Sequence, residues 1–158
     1  MHDTRTSELF FEVAGTPPIR TDGLSVFTAG HRQAARVRAL LTAACAAAQT
    51  TGWRSLHGPV ALEVVLRCPP EHRVVDAAQL LGGVGAVLQD KKRIGAVGLA
   101  HLGVLADVAL YDDERQIRQL SYREEPATDF SYLVRVTALE PASPLAPTTR
   151  QAAPPAPV

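Results

Sequence analysis

The sequence predicts one α/β domain, α+β-like in its strand order, built on a mixed sheet of about four strands flanked by helices in the order β-α-β-α-(α)-β-β. Three observations carry that prediction. Val60, Leu62, Val64 and Leu66 alternate with Ala61, Glu63, Val65 and Arg67, the period-2 pattern of a strand with one buried face. Val37, Leu40, Leu41, Ala44 and Ala48 recur at helical spacing in an Ala-rich stretch from Thr28 to about Thr50. The chain has 158 residues and 46% hydrophobic content, enough for one sizeable core and too little for two ordinary domains.

The elements follow in order. Leu9 to Val13 is a short apolar run closed by Gly15 and the Pro17-Pro18 pair, which cannot continue a ladder. The Ala-rich helix comes next, with Gly52 as its stop, and Arg32 and Arg36 lie one turn apart near its start. The Val60 strand ends at Pro69-Pro70. Asp76 then opens a second helix whose stripe is Ala77, Leu80, Leu81, Val84 and Leu88, since Asp is a favoured residue at a helix start. Gly82, Gly83 and Gly85 each cost that helix about 1 kcal/mol relative to Ala, so a close backbone approach is expected there, with another helix as the expected neighbour. Asp90 to Arg93 is a charged break, and Val97, His101, Val104, Leu105 and Val108 trace a third helix ending near Tyr111. Arg115 to Arg123 and Ser131 to Leu139 read as two strands of an antiparallel hairpin, separated by Pro126 and Asp129.

Residues 1–7 are expected to form an amino-terminal tail and 8–139 the folded domain. After Glu140, six of the last eighteen residues are Pro and five are Ala, a composition with too little packable surface to offset chain entropy, so 140–158 is expected to be a disordered tail. Lys plus Arg and Asp plus Glu are both 16, which gives the molecule no overall bias toward polyanions or anionic membranes. No window reaches about 18 uninterrupted apolar residues, and a cytoplasmic location without membrane contact is the expectation. Cys45 and Cys68 lack metal-ligand spacing and are expected to be free thiols. Trp53 and Tyr111 sit at element ends, where packing in the core or at its rim is expected.

Chemistry is concentrated in two acidic segments. Asp76 opens a helix after a buried strand, and Asp112-Asp113-Glu114 immediately precedes another strand, so folding could bring both to one edge of the sheet. Mg²⁺ takes one or two protein carboxylates together with water and phosphate oxygens, which suits clustered Asp to phosphodiester cleavage. The same triplet also reads as a solvated turn.

Phe11-Glu12-Val13 with Gly15 and Pro17-Pro18, the Val60 to Arg67 strand followed by Asp76, Asp112-Asp113 before Gln116-Ile117, and Ser121 with the closing Ser131 to Leu139 run resemble, in that order, the RusA family of Holliday-junction resolvases. Leu81-Gly82-Gly83, His101-Leu102-Gly103 and the Tyr111 to Ile117 stretch are similar to a branch with an extra helix between the two acidic clusters. The resemblance implies a homodimeric endodeoxyribonuclease that uses Mg²⁺ or Mn²⁺ to cut branched DNA. It implies Asp76, Asp112 and Asp113 as catalytic metal ligands, with Gln79 as a neutral oxygen ligand where the family carries Asn. Ala78 stands where the family has a second Asp, and Gly82 where it has a Lys that stabilises developing phosphate charge. Arg20, Arg32, Arg36, Lys91, Lys92 and Arg93 are the candidates for phosphate contacts. The two missing groups favour a second expectation, a non-catalytic descendant that binds DNA or a protein partner.

Overall fold

The computed structural model describes residues 7–20, 33–71, 76–92 and 99–140. Strand β1 spans Glu8–Ala14, helix α1 Ala34–Thr51, strand β2 Val60–Cys68, helix α2 Ala77–Leu88, strand β3 Ile117–Pro126 and strand β4 Ser131–Ala138. Short 3₁₀ segments occupy Leu99–Asp107 and Glu114–Gln116. The strands form one mixed sheet in the order β1-β4-β2-β3, so the predicted α/β class holds. Residues 1–6, 21–32, 72–75, 93–98 and 141–158 lie outside the described residues, and with them the start of the first predicted helix, Arg32, Arg93, Val97 and the Pro/Ala-rich tail.

The sheet packs its inner face under the helices. Leu9, Phe11 and Val13 of β1, Leu62, Val64 and Leu66 of β2, and Tyr132, Val134 and Val136 of β4 meet Val37, Leu40, Leu41 and Ala44 of α1 and Leu80, Val84 and Leu88 of α2 in one core. The outer face is held by charge pairing across strands. Arg135 reaches Glu8 at 3.1 Å and Glu63 at 3.6 Å, and Arg67 reaches Glu125 at 3.3 Å and Glu12 at 3.7 Å.

The expected β3–β4 hairpin does not form. β4 runs antiparallel to β2 and β3 runs parallel to it, so β2 lies between the two. Burial explains the order. β2 is buried along most of its length, Val65 of its outer face included, and a strand buried on both faces belongs at the centre. Polar residues line both faces of β3 (Arg118, Gln119, Ser121, Arg123, Glu124 and Glu125), which suits an edge. The 127–130 connection passes the end of β2, where the Ala127 N–H donates to the Cys68 carbonyl at 2.9 Å.

The third helix is also different from its expectation. Leu99–Asp107 is 3₁₀ backbone broken at Gly103, whose φ of 57° and ψ of −131° lie outside any helix. The buried side chains there are Leu102 and Ala106, whereas Val104 of the expected stripe is 81% exposed. Val108 of that stripe is buried and Leu105 packs against the core, so a period of 3.6 carried across the glycine kink places only part of the stripe correctly.

The expected close backbone approach is observed at Gly83 alone, where the neighbour is an extended strap and not a helix; Gly82 and Gly85 meet only side chains. A Cβ on Gly83 would meet the Pro18 carbonyl oxygen at 2.2 Å and the Ile19 Cα at 2.9 Å. The strap is fixed at both sides. Gln33, buried at the start of α1, accepts from the Ile19 N–H at 2.6 Å and donates to the Ile19 carbonyl at 2.8 Å, while the Arg20 N–H donates to the Gln79 carbonyl at 2.9 Å. The glycine face of α2 is thus occupied from within the chain and is not free to meet a second copy.

Candidate functional site

Tyr111 joins two distant segments to the second acidic cluster. It makes parallel bridges to Leu56, ahead of β2, and to Gln89, which ends α2. The Asp90 N–H donates to the Tyr111 carbonyl at 3.0 Å, and the Asp112 N–H to the Leu56 carbonyl at 3.3 Å. Its ring is fully buried and its hydroxyl donates to the Gly85 carbonyl at 2.6 Å. Burial, reinforced by the Glu114 carboxylate, pushes the phenol well above its ordinary range, so it remains a proton donor.

The acidic residues that follow are each engaged by a neighbour. Asp112 Oδ2 lies 2.6 Å from His57 Nδ1. Asp113 caps the short 3₁₀ turn by accepting from the Arg115 N–H at 2.8 Å, and its own N–H donates to Gln116 Oε1 at 2.7 Å. Gln116 completes the junction by donating to the carbonyls of Leu56 and Gly58, both at 2.8 Å. The Glu114 N–H donates to Gln89 Oε1 at 3.1 Å, and its carboxylate pairs with the Arg20 guanidinium at 2.6 Å.

Asp76 lies elsewhere. It is the N-cap of α2, and its Oδ1 accepts from the Ala78 N–H at 2.9 Å, the local role its helix-start position predicts. Asp112 and Asp113 sit beside the other end of that helix, next to Gln89, and twelve helical residues span about 18 Å. The anticipated meeting of Asp76 with Asp112 and Asp113 is therefore not observed. The physical reason is the length of the helix joining the two segments. Gln79 belongs to the first turn of α2, at the Asp76 end, and its carbonyl holds the strap. Among the described residues no group of three or more His, Cys, Asp or Glu side chains is arranged to hold a metal ion. A Mg²⁺–oxygen distance of about 2 Å requires ligands only a few ångströms apart, so these carboxylates do not fit one shared divalent ion.

The phosphate-contact candidates are similarly dispersed. Arg20 pairs with Glu114, and Lys92 pairs with Asp107. Arg36 is half-buried on α1. Lys91 is a correction: it is 0% exposed, and its Nζ donates to the carbonyls of Val108 at 2.6 Å and Gln89 at 3.2 Å. A charged break in sequence suggested a solvent-facing side chain, but the two carbonyls give its ammonium a buried seat.

Burial lowers the Lys91 pKa to about 8, against the opposing pull of Asp90 and Asp107. The folded protein thus binds this proton less tightly than the unfolded chain, whose value is 10.5. Between these two values the unfolded state carries more protons, so the Lys91 contribution makes stability rise with pH across that window. Comparing urea unfolding of the wild type and Lys91→Met from about pH 8 to pH 10.5 separates the Lys91 contribution from tyrosine ionisation. The wild type is expected to gain stability relative to the variant as pH rises.

Sequence reasoning missed His57. It stands alone between α1 and β2, and the pairing of Leu56 with Tyr111, with Gln116 holding the Leu56 and Gly58 carbonyls, puts it beside Asp112. With Nδ1 engaged by a carboxylate, Nε2 is the ring atom left to exchange a proton or accept a hydrogen bond. His57, Pro59, Asp113, Arg115, Arg118 and Leu139 contribute to a groove of about 890 Å³ at this end of the sheet. Both expected free thiols are observed as such, Cys68 buried and Cys45 half-buried. Among the described residues no helix is long and apolar enough to cross a membrane. No family model matches the chain, and no curated protein matches it.

Proposed function

We propose that this chain is a RusA-like binding module that engages branched DNA without cutting it through the family's carboxylate centre. One observation carries the non-cutting half: Asp76 and the Asp112-Asp113 pair flank opposite ends of α2, with the Asp76 carboxylate engaged in its own helix cap. Ala78 and Gly82 add to it, because neither can supply the carboxylate or ammonium that the resembled family uses. Branched DNA as the ligand comes from the resemblance alone. Its contacts would be electrostatic and would compete with existing ion pairs, Arg20 with Glu114 and Lys92 with Asp107.

One observation favours the cutting activity instead. The Arg20 side chain packs over Gly82, its Cβ and Cδ both 3.5 Å from where a Gly82 Cβ would lie. A cation is therefore present near the position of the family's Lys, although it approaches from the strap. That cation already pairs with the Glu114 carboxylate, while Asp76 and the Asp112-Asp113 pair flank opposite ends of α2.

A four-way DNA junction separates the two activities. In a gel-shift titration at low salt the protein is expected to retain the junction and to release it as salt rises. Incubation of excess protein with the same junction and Mg²⁺ or Mn²⁺ is expected to leave the strands intact. Symmetric nicking that disappears in Asp113→Asn would overturn the non-cutting half, and absence of retention at low salt would overturn the DNA half.

A further inference from the structure

The groove beside β2 and β3 holds two polar groups that the DNA reading does not use. The first is His57. Its Nδ1 lies 2.6 Å from Asp112 Oδ2, so the carboxylate accepts from Nδ1–H and leaves Nε2 as the available ring nitrogen. Asp112 is held in turn by its own N–H, which donates to the Leu56 carbonyl at 3.3 Å. The His57 side chain is 79% exposed, so Nε2 is open to a ligand.

The second group is Arg118. Val60 pairs with Ile117 and Ala61 with Gln119, so Arg118 is the extra residue of a bulge where β3 begins, and a bulge re-aims the side chain it carries. Arg118 and His57 line the same groove. Arg115, the other arginine there, is committed to Asp113, to which its Nε and Nη2 each donate at 3.3 Å. Arg118 makes no ion pair among the described residues, and its guanidinium is available to an anion. Pro59 and Leu139 add apolar lining, joined by the Leu139 N–H donating to the Pro59 carbonyl at 2.9 Å. A groove of about 890 Å³ has the size of a small-molecule site. A ligand that fits has an anionic head for Arg118 and His57 and an apolar body for Pro59 and Leu139.

Proton count selects the head. With Nδ1–H given to Asp112, a neutral ring offers a lone pair at Nε2 and a protonated ring offers an N–H. A phosphate monoester takes its second proton near about pH 6, close to the range in which imidazole rings in general take theirs. One proton is therefore shared between Nε2 and a phosphoryl oxygen whichever partner carries it, while other oxygens accept from the Arg118 fork. A sulfate ester or a phosphodiester has no second proton to share and meets a neutral ring with an acceptor. The remaining charges of the groove do not oppose this. Asp113 is paired with Arg115, and Glu140 is exposed where water and salt screen it.

We propose that this groove binds a small phosphate monoester with an apolar body, Arg118 holding its oxygens, His57 sharing its proton and Asp112 positioning the ring. The site is independent of the DNA reading, because a phosphodiester backbone lacks the shared proton.

The test uses the full chain with phenyl phosphate as the probe. Calorimetric titration near neutral pH is expected to show one saturable site per chain. Phenyl sulfate is expected to bind about tenfold more weakly, as loss of a hydrogen bond between charged groups implies. His57→Ala and Arg118→Gln each remove one such bond and are expected to weaken phenyl phosphate by about tenfold or more. In ¹⁵N-resolved NMR the His57 Nε2 signal is expected to move on adding phenyl phosphate while Nδ1 stays protonated, and Asp112→Asn is expected to abolish that fixed tautomer. Far-UV circular dichroism checks that each variant keeps its fold. Absence of saturable binding in the wild type overturns the proposal. Binding that survives both substitutions overturns it too, and so does phenyl sulfate bound as tightly as phenyl phosphate. If one variant fails to fold, the other variant and the sulfate comparison still decide the matter.

Discussion

Gly83→Ala is expected to destabilise the protein by about 3 kcal/mol, near the upper end for an overpacked core position. The added methyl would sit 2.2 Å from the Pro18 carbonyl oxygen and 2.7 Å from its carbon, so backbone and not a side-chain tip would have to move. The strap cannot yield easily, because Gln33 holds Ile19 through both of its backbone groups. Its neighbour provides the contrast. At Gly82 the new Cβ would meet only Arg20 side-chain atoms, the nearest at 3.5 Å, an ordinary contact. Gly82→Ala is expected to be neutral or to stabilise by up to about 1 kcal/mol through helix propensity. Denaturant midpoints for both variants check the pair. Equal effects would mean that the strap does not cross α2 at Gly83.

Tyr111→Ala is expected to cost about 4 kcal/mol, the range for truncating a fully buried aromatic ring. Tyr111→Phe separates packing from hydrogen bonding. It keeps the ring but leaves the Gly85 carbonyl without the hydroxyl at 2.6 Å, a loss of about 1–2 kcal/mol. Because Tyr111 bridges to both Leu56 and Gln89, the Ala variant is also expected to uncouple His57 from Asp112. The imidazole resonances of His57, followed by NMR, should then lose their dependence on Asp112→Asn. A Tyr111→Ala protein as stable as the wild type would contradict the role given to this ring.

Much of the fold was legible because burial leaves a period in the chain. The alternation from Val60 to Arg67 gave β2, and Asp76 gave the start of α2 to the residue. Pairing was less legible. β3 and β4 are neighbours in sequence, yet β2 separates them, and the cue was the polarity of both faces of β3 and not the short connection. Lys91 misled because a charged side chain reads as exposed, and nothing local announces the two carbonyls that receive it. The candidate site was hardest to read. Asp76 opens α2 and Asp113 caps the short turn before β3, as a metal-binding frame would need, but the helix between the two segments holds them apart. His57 and Asp112 are 55 residues apart, and the Leu56–Tyr111 bridge and the Gln116 bonds to the Leu56 and Gly58 carbonyls bring them within hydrogen-bond distance.

The separation of Asp76 from Asp112 and Asp113 is tested most directly by calorimetric Mn²⁺ titration of the wild type beside Asp76→Asn and Asp113→Asn. The expected result is weak heat with no saturable site of one ion per chain and no difference among the three proteins. A saturable site in the wild type that both substitutions abolish would mean that the two acidic segments share an ion, and would contradict the arrangement described above.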